Sequence, residues 1–140
     1  MRRLDLVVGP NGAGKSTFVR MTLAKSLPPT VPFVNADEIA AQRWPGSTQE
    51  HAYQAAEVAA ATRVALIDAG LSFIAETVFS HRSKLELIDT AHAAGYFVFL
   101  HVLLVPVELT VERVAHRVAA GGHPVPEVKI RQRYQRLWPL

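Results

Sequence analysis

GPNGAGKST (residues 9–17) follows the apolar run LDLVV (4–8) and opens a stretch of helical composition that stops before Pro28-Pro29. Gly9, Gly14, Lys15 and Ser16 fit the spacing G-x-x-x-x-G-K-[ST], in the strand-then-helix setting that the motif requires. Glycines let backbone N–H groups converge on phosphate oxygens, and a helix N-terminus adds partial positive charge. Lys15 is placed to neutralise β and γ oxygens, and the Ser16 hydroxyl to complete the shell of a Mg²⁺ ion. Gly9, Pro10, Asn11, Gly12, Ala13, Gly14, Lys15, Ser16 and Thr17 are therefore the candidate nucleotide-binding residues. The plain alternative is a glycine-rich turn with a surface lysine, against which the flanking strand and helix argue.

Outward from the loop, strand and helix signals alternate. VPFV (31–34) reads as a second strand, and Asn35 with Glu38 as a capping box for the helix after it. Ser47 with Glu50 marks a second capping box, for a long helix with Tyr53, Ala56, Ala60, Val64 and Ile67 on one face and Gly70 as its C-terminal cap. LSFIAE (71–76) is a third strand, Ser83 with Glu86 opens a helix closing at Gly95, and YFVFLHVLLV (96–105) is a fourth strand. The unbroken apolar run of that strand predicts burial on both faces. Pro106 starts a helix ending at Gly121, and a last helix begins near Pro126. The expectation is an α/β, three-layer P-loop NTPase/kinase fold with a parallel sheet of about four strands flanked by helices. Active sites of such sheets lie beyond the carboxyl ends of the strands, where the loop, Asn35–Asp37 and Glu76 all fall.

At 140 residues, 49% hydrophobic and 19% charged, the chain reads as a single folded domain spanning 1–140. It has no cysteine, which excludes disulfides and thiol nucleophiles, and no histidine or carboxylate set has zinc-ligand spacing. No apolar run is long enough for a bilayer and no signal peptide is evident, so a cytoplasmic location is expected. A pI near 9.6 on a net charge of +3 suits nucleic acid or a compact polyanion such as a nucleotide.

NADE (35–38) addresses where a phosphoryl group goes. Asp37 is the candidate base for an attacking hydroxyl; the bland reading is a carboxylate favoured in a helix's first turn. Glu76 enters from strand three to hold Mg²⁺ through water or a substrate hydroxyl, or else faces solvent. Thr77, Ser80, His81 and Arg82 follow where an acceptor would rest. Arg113 and Arg117 share one helix face; Lys129, Arg133 and Arg136 form a stripe with Arg131 beside them. Most of these arginines suit a solvated basic face, and Arg117, next to the hinge-like GGHPVP, is the candidate phosphate clamp. The glycines and prolines of 119–126 predict a lid that orders on nucleotide. His101, inside an apolar strand, reads as a satisfied core residue.

GPNGAGKST, NADEIA, FIAETVFS and RVAHRVAAGGHPVPEVKIRQRY together resemble the zeta toxin family of P-loop kinases, in its small single-domain branch, over nearly the whole chain. The resemblance implies a kinase that uses ATP or GTP with Mg²⁺ to phosphorylate the sugar of UDP-N-acetylglucosamine, restrained by an antitoxin protein. It assigns Lys15 and Ser16 their loop roles, Asp37 the base, Glu76 the acid ending strand three, and Arg117 one of two phosphate-contacting arginines. The second arginine has no clear counterpart, and Arg131 and Arg133 are the candidates. Relatives continue beyond the closing LWPL, so a C-terminally truncated domain or a natural short form is expected. Two other readings compete: a kinase of nucleic-acid 5′-ends, which lacks an aromatic stacking strand here, and a non-catalytic nucleotide-binding module.

Overall fold

RLDLVV (3–8) alternates its side chains between two apolar layers, and this one strand organises the sheet. A computed structural model describes residues 1–10, 12–77, 82–104, 112, 115, 127–129 and 131–132. In it β1 (Arg3–Val8) pairs in parallel with β3 (Phe73–Thr77) on one side and β4 (Phe97–Val102) on the other, while β2 (Phe33–Val34) lies outside β3. The order is β2-β3-β1-β4, so the expected four-stranded parallel sheet is present. Leu6 faces Ala75 on one side and Leu100 on the other.

Leu4, Leu6 and Val8 point into a buried cluster with Phe73, Ala75, Ala59, Ile67 and Tyr96. Val7 points the opposite way, to Val19, Leu23 and Ile74. Helices α2 (Ala36–Arg43), α3 (Ala52–Ala69) and α4 (Ser83–Ala93) cover the first face. The second face is covered by the helical stretch 15–26, which begins as α1 (Lys15–Phe18), widens to a π turn over Val19–Leu23 and tightens to a 3₁₀ turn over Ala24–Ser26. Among the described residues, no helix is long and apolar enough to cross a membrane.

The buried strand is β1 rather than β4. Phe97, Phe99, Leu100 and Val102 of β4 remain 40–61% exposed, because β4 is the outermost of the four described strands next to β1. An apolar run reports that both faces can be covered, not that they are. β1 in turn buries a charge: Asp5 is 1% exposed and accepts from Arg3 Nε at 2.7 Å and Nη2 at 2.9 Å. His101 Nε2 lies 2.9 Å from Asp5 Oδ1, so this histidine is satisfied in the core as its setting predicted. Arg3 also covers the Phe99 ring, 4.0 Å from its centroid.

Helix α3 turns a different face inward. Ala55, Ala59 and Ile67 are buried, whereas Tyr53 and Val64 are 75% and 55% exposed. An alanine-rich helix carries too little apolar contrast to mark its inner stripe. Its second capping box is absent too: α3 starts at Ala52, and the Ser47 hydroxyl pairs with His51 Nδ1 at 3.3 Å under the stacked Trp44 ring. Gly70 closes the helix as expected, with its N–H on Ile67 O at 3.0 Å. Ser83 is the first residue of α4 rather than its cap, which is Arg82.

Tyr96 ties these pieces together, its hydroxyl 2.7 Å from Leu71 O and 3.0 Å from Leu66 O. Replacing that hydroxyl leaves two partly buried carbonyls with one donor fewer. Tyr96→Phe is expected to lower unfolding free energy by about 1–2 kcal/mol, read from urea denaturation, with an unchanged m-value.

Candidate active site

The loop after β1 is shaped by two glycines for different reasons. At Gly9 a Cβ would sit 2.6 Å from Leu103 O, where the chain leaving β4 runs beside β1 and Leu103 N donates to Val8 O at 2.9 Å. Gly14 holds φ 91°, the left-handed conformation that turns the chain into α1. Between them Ala13 N donates to Pro10 O at 3.2 Å, and Pro10 is fully buried. Lys15 is 7% exposed and folds back across the loop, its ammonium donating to Gly9 O at 2.9 Å and Pro10 O at 3.0 Å. The cation is thus held against the loop's own backbone carbonyls.

Three chain segments meet beside it. Ser16 Oγ donates to Glu76 Oε2 at 2.8 Å, joining α1 to the end of β3. Asn35 Nδ2 donates to the same Glu76 oxygen at 2.9 Å and lies 3.4 Å from Ser16 Oγ. The other end of that amide caps α2, accepting from Asp37 N at 2.8 Å and Glu38 N at 3.4 Å. Asn35 is only 6% exposed, so both ends of its side chain are committed inside the fold. Its capping role was legible in the sequence; its link to Glu76 was not. The signal was the choice of asparagine, whose amide N–H groups reach past the cap as donors, where an ionised Asp would only accept and a Ser hydroxyl is shorter. The reciprocal half of the capping box is replaced, since Glu38 pairs with Arg20 instead.

The remaining candidates fall at different distances from this junction. Asp37 is exposed in the first turn of α2, two residues after the Asn35 cap. Thr77 is half-buried at the end of β3, opposite Val8 at the mouth of the loop. Thr17 and Arg82 are exposed. Arg131, a candidate clamp, pairs with Glu127 at 3.0 Å, one turn away on its own helix. Asn11, Arg117, Arg133, Ser80, His81 and the 119–126 segment lie outside the described residues.

The hydroxyl of Ser16 and the carboxylate of Glu76 are hard oxygen donors already within 2.8 Å of one another, a set that fits Mg²⁺ completed by water and phosphate. No group of three or more His, Asp or Glu side chains among the described residues could hold a metal alone. A cation here would depend on nucleotide for the rest of its shell.

Residues 4–140 match a family model described as an AAA domain. The chain belongs to this family. Among curated proteins none matches it. Solved structures of similar fold include AvrRxo1-ORF1:-ORF2 with ATP, at TM-score 0.78 and 18% identity over 98% of this chain and 47% of that one. The Pnkp1/Rnl/Hen1 RNA repair complex matches at TM-score 0.74 and 23% identity, over 96% of this chain and 43% of that one. The PezAT chromosomal toxin-antitoxin system of Streptococcus pneumoniae matches at TM-score 0.68 and 17% identity, over 84% of this chain and 54% of that one. The chain spans about half the length of these solved chains, and they share with it a P-loop kinase-like fold.

Asn35 can be dissected by its two ends. Asn35→Ser keeps a cap and drops the amide donor; Asn35→Asp keeps a cap and sets a second carboxylate against Glu76. Paired carboxylates raise each other's folded-state affinity for protons, so stability present at low pH is lost as pH rises through the carboxylate range. Thermal melts from pH 4 to pH 8 are expected to show Asn35→Asp falling progressively below Asn35→Ser.

Proposed function

We propose that this AAA-domain protein is an ATP- or GTP-dependent kinase that transfers the γ-phosphate to the hydroxyl of a small acceptor, similar to zeta toxins, with the sugar of UDP-N-acetylglucosamine as the acceptor to test first. The observation that carries this reading is the junction on Glu76. It brings the Ser16 hydroxyl of the phosphate loop within hydrogen-bond reach of the residue that caps Asp37's helix. A phosphate loop alone serves hydrolysis as well as transfer. A carboxylate on a neighbouring helix, fixed relative to that loop, supports transfer to a bound hydroxyl.

In this mechanism the loop amides and the Lys15 ammonium receive the β- and γ-phosphates, Lys15 leaving Gly9 O and Pro10 O for phosphate oxygens. Ser16 and Glu76 would hold Mg²⁺, which when bound supplies charge neutralisation at the phosphate oxygens. Asp37, exposed to an incoming ligand, accepts the proton of the acceptor hydroxyl. Asn35 fixes the Glu76 carboxylate and the start of α2 together, so the base and the cation site keep one spacing. Arg117, with Arg131 or Arg133, is proposed to cover the transferring phosphate; for Arg131 this requires release of Glu127. The domain is proposed as a single unit of 1–140, and its likeness in fold to a toxin-antitoxin system supports testing for an antitoxin partner.

A kinase of nucleic-acid 5′-ends is the second reading, supported by the fold match to an RNA repair complex over 96% of this chain. Nucleotide consumption measured alone, with UDP-N-acetylglucosamine and with a 5′-hydroxyl oligonucleotide separates the two. Stimulation by the sugar nucleotide is expected; stimulation by the oligonucleotide alone would replace the first reading with the second.

Two substitutions test the assigned roles in the same assay. Lys15→Ala is expected to abolish turnover in a folded protein. Asp37→Asn is expected to cut transfer by roughly 10²–10⁴-fold with nucleotide affinity unchanged, the range for losing general base catalysis. A modest loss that follows stability would reduce Asp37 to a helix-start carboxylate.

A further inference from the structure

Two helical layers meet over the carboxyl edge of the sheet, and the Glu76 junction is not their only tie. The stretch after the phosphate loop packs on one face of the sheet through Val19 and Leu23. α2 packs on the other face through Ala36 and Ile39. Arg20, one turn beyond Ser16, leaves the first layer and donates from Nη2 to Glu38 Oε1 in the first turn of α2. Ser16 Oγ itself lies 3.4 Å from Asn35 Nδ2. Two rungs therefore join these helices, Ser16–Asn35 and Arg20–Glu38, and Asp37 lies between Asn35 and Glu38 in sequence.

The backbone around Arg20 departs from an ordinary helix. Val19–Leu23 widens to a π turn, closed by the Ala24 N–H on Val19 O. Such turns are rare in helices and concentrate at functional sites. Val19 and Leu23 stay buried while Arg20 is exposed, and Glu38 is half-buried. An ion pair this open to water adds little to stability, because solvent screens it and two long side chains must be held still. What it fixes is direction. Asn35 Oδ1 holds the start of α2 at one point, through the Asp37 and Glu38 N–H groups. The apolar contacts of Ala36 and Ile39 are non-directional, so a helix held in this way can still swing. A second hold at Glu38, from the helix that carries Lys15 and Ser16, restricts that swing.

We propose that Arg20 is a positioning residue for phosphoryl transfer, acting through Glu38 to set how the first turn of α2 presents Asp37 to the phosphate loop. The proposal rests on the kinase reading above, in which Asp37 is the base. A reacting group misplaced by about 1 Å can cost as much as 10²-fold in rate, out of proportion to the small share of a surface pair in stability. The loss falls on transfer rather than on nucleotide binding. The loop that receives the phosphates is held by Gly9 against Leu103 and by Lys15 on its own carbonyls, without Glu38.

Arg20→Gln, Glu38→Gln, their double variant and Arg20→Lys test this in the acceptor-stimulated nucleotide-consumption assay. Each glutamine variant is expected to lower kcat about 10-fold, within the range for a misplaced group, with affinity for a non-hydrolysable ATP analogue unchanged. The double variant should be no slower than either single one, and Arg20→Lys should keep most of the rate. In an Asp37→Asn background Arg20→Gln should cost little more, because its effect passes through Asp37. A merely structural pair would cost the same in both backgrounds. Amide exchange at Asp37 and Glu38, with Mg²⁺ and the analogue saturating, needs no acceptor, and Arg20→Gln should speed it several-fold. Wild-type kcat in folded Arg20→Gln, a loss that follows nucleotide affinity or the urea midpoint, additivity with Asp37→Asn, or unchanged amide exchange would overturn the proposal. Faster exchange in Arg20→Gln, while no acceptor stimulates nucleotide consumption in wild type, would keep the tie and reject the kinase reading instead.

Discussion

One carboxylate oxygen, Glu76 Oε2, receives hydrogen bonds from Ser16 and Asn35, and through them holds three segments in one geometry. Ser16 opens the helix after the phosphate loop, Asn35 opens α2, and Glu76 ends β3. Charge-assisted bonds of this kind are stronger than neutral ones, and their partly buried setting reduces competition from water. The sheet makes the meeting feasible because parallel β1 and β3 deliver Val8 and Thr77 to the same edge in register. Chemistry placed at that edge inherits the rigidity of the central strands.

The same edge is crowded on its other side. Leu103 O approaches Gly9 so closely that a β-carbon has no room, which fixes the start of the phosphate loop against the chain leaving β4. Lys15 then closes the loop on itself through two backbone carbonyls. Buried Asp5 with Arg3 and His101 reinforces the β1–β4 pairing below. In the proposed mechanism, nucleotide binding asks of the described loop chiefly an exchange of partners at Lys15.

Much of this arrangement was legible in the sequence because its signals are local. The loop spacing, the strand before it, the Asn35 cap and the Gly70 stop each depend on a few neighbouring residues with distinctive chemistry. What the sequence did not show depends on contacts across the chain. The apolar run of β4 resembled a central strand but is the outer of the four described, and the alanines of α3 concealed which face turns inward. Glu38 resembled half of a capping box until Arg20 stood beside it. The pairing of Asn35 with Glu76 spans 41 positions and has no local trace.

The central claim is that Ser16, Asn35 and Glu76 form one site with the phosphate loop, and nucleotide affinity with and without Mg²⁺ tests it most directly. Calorimetric titration of a non-hydrolysable ATP analogue into wild type and Glu76→Gln, each in Mg²⁺ and in EDTA, isolates the contribution of the cation. The expected result is that Mg²⁺ strengthens binding to wild type, that Glu76→Gln loses most of this gain, and that both proteins bind equally in EDTA. An undiminished Mg²⁺ gain in folded Glu76→Gln would contradict it, placing the cation elsewhere and leaving the Glu76 junction a purely structural clasp.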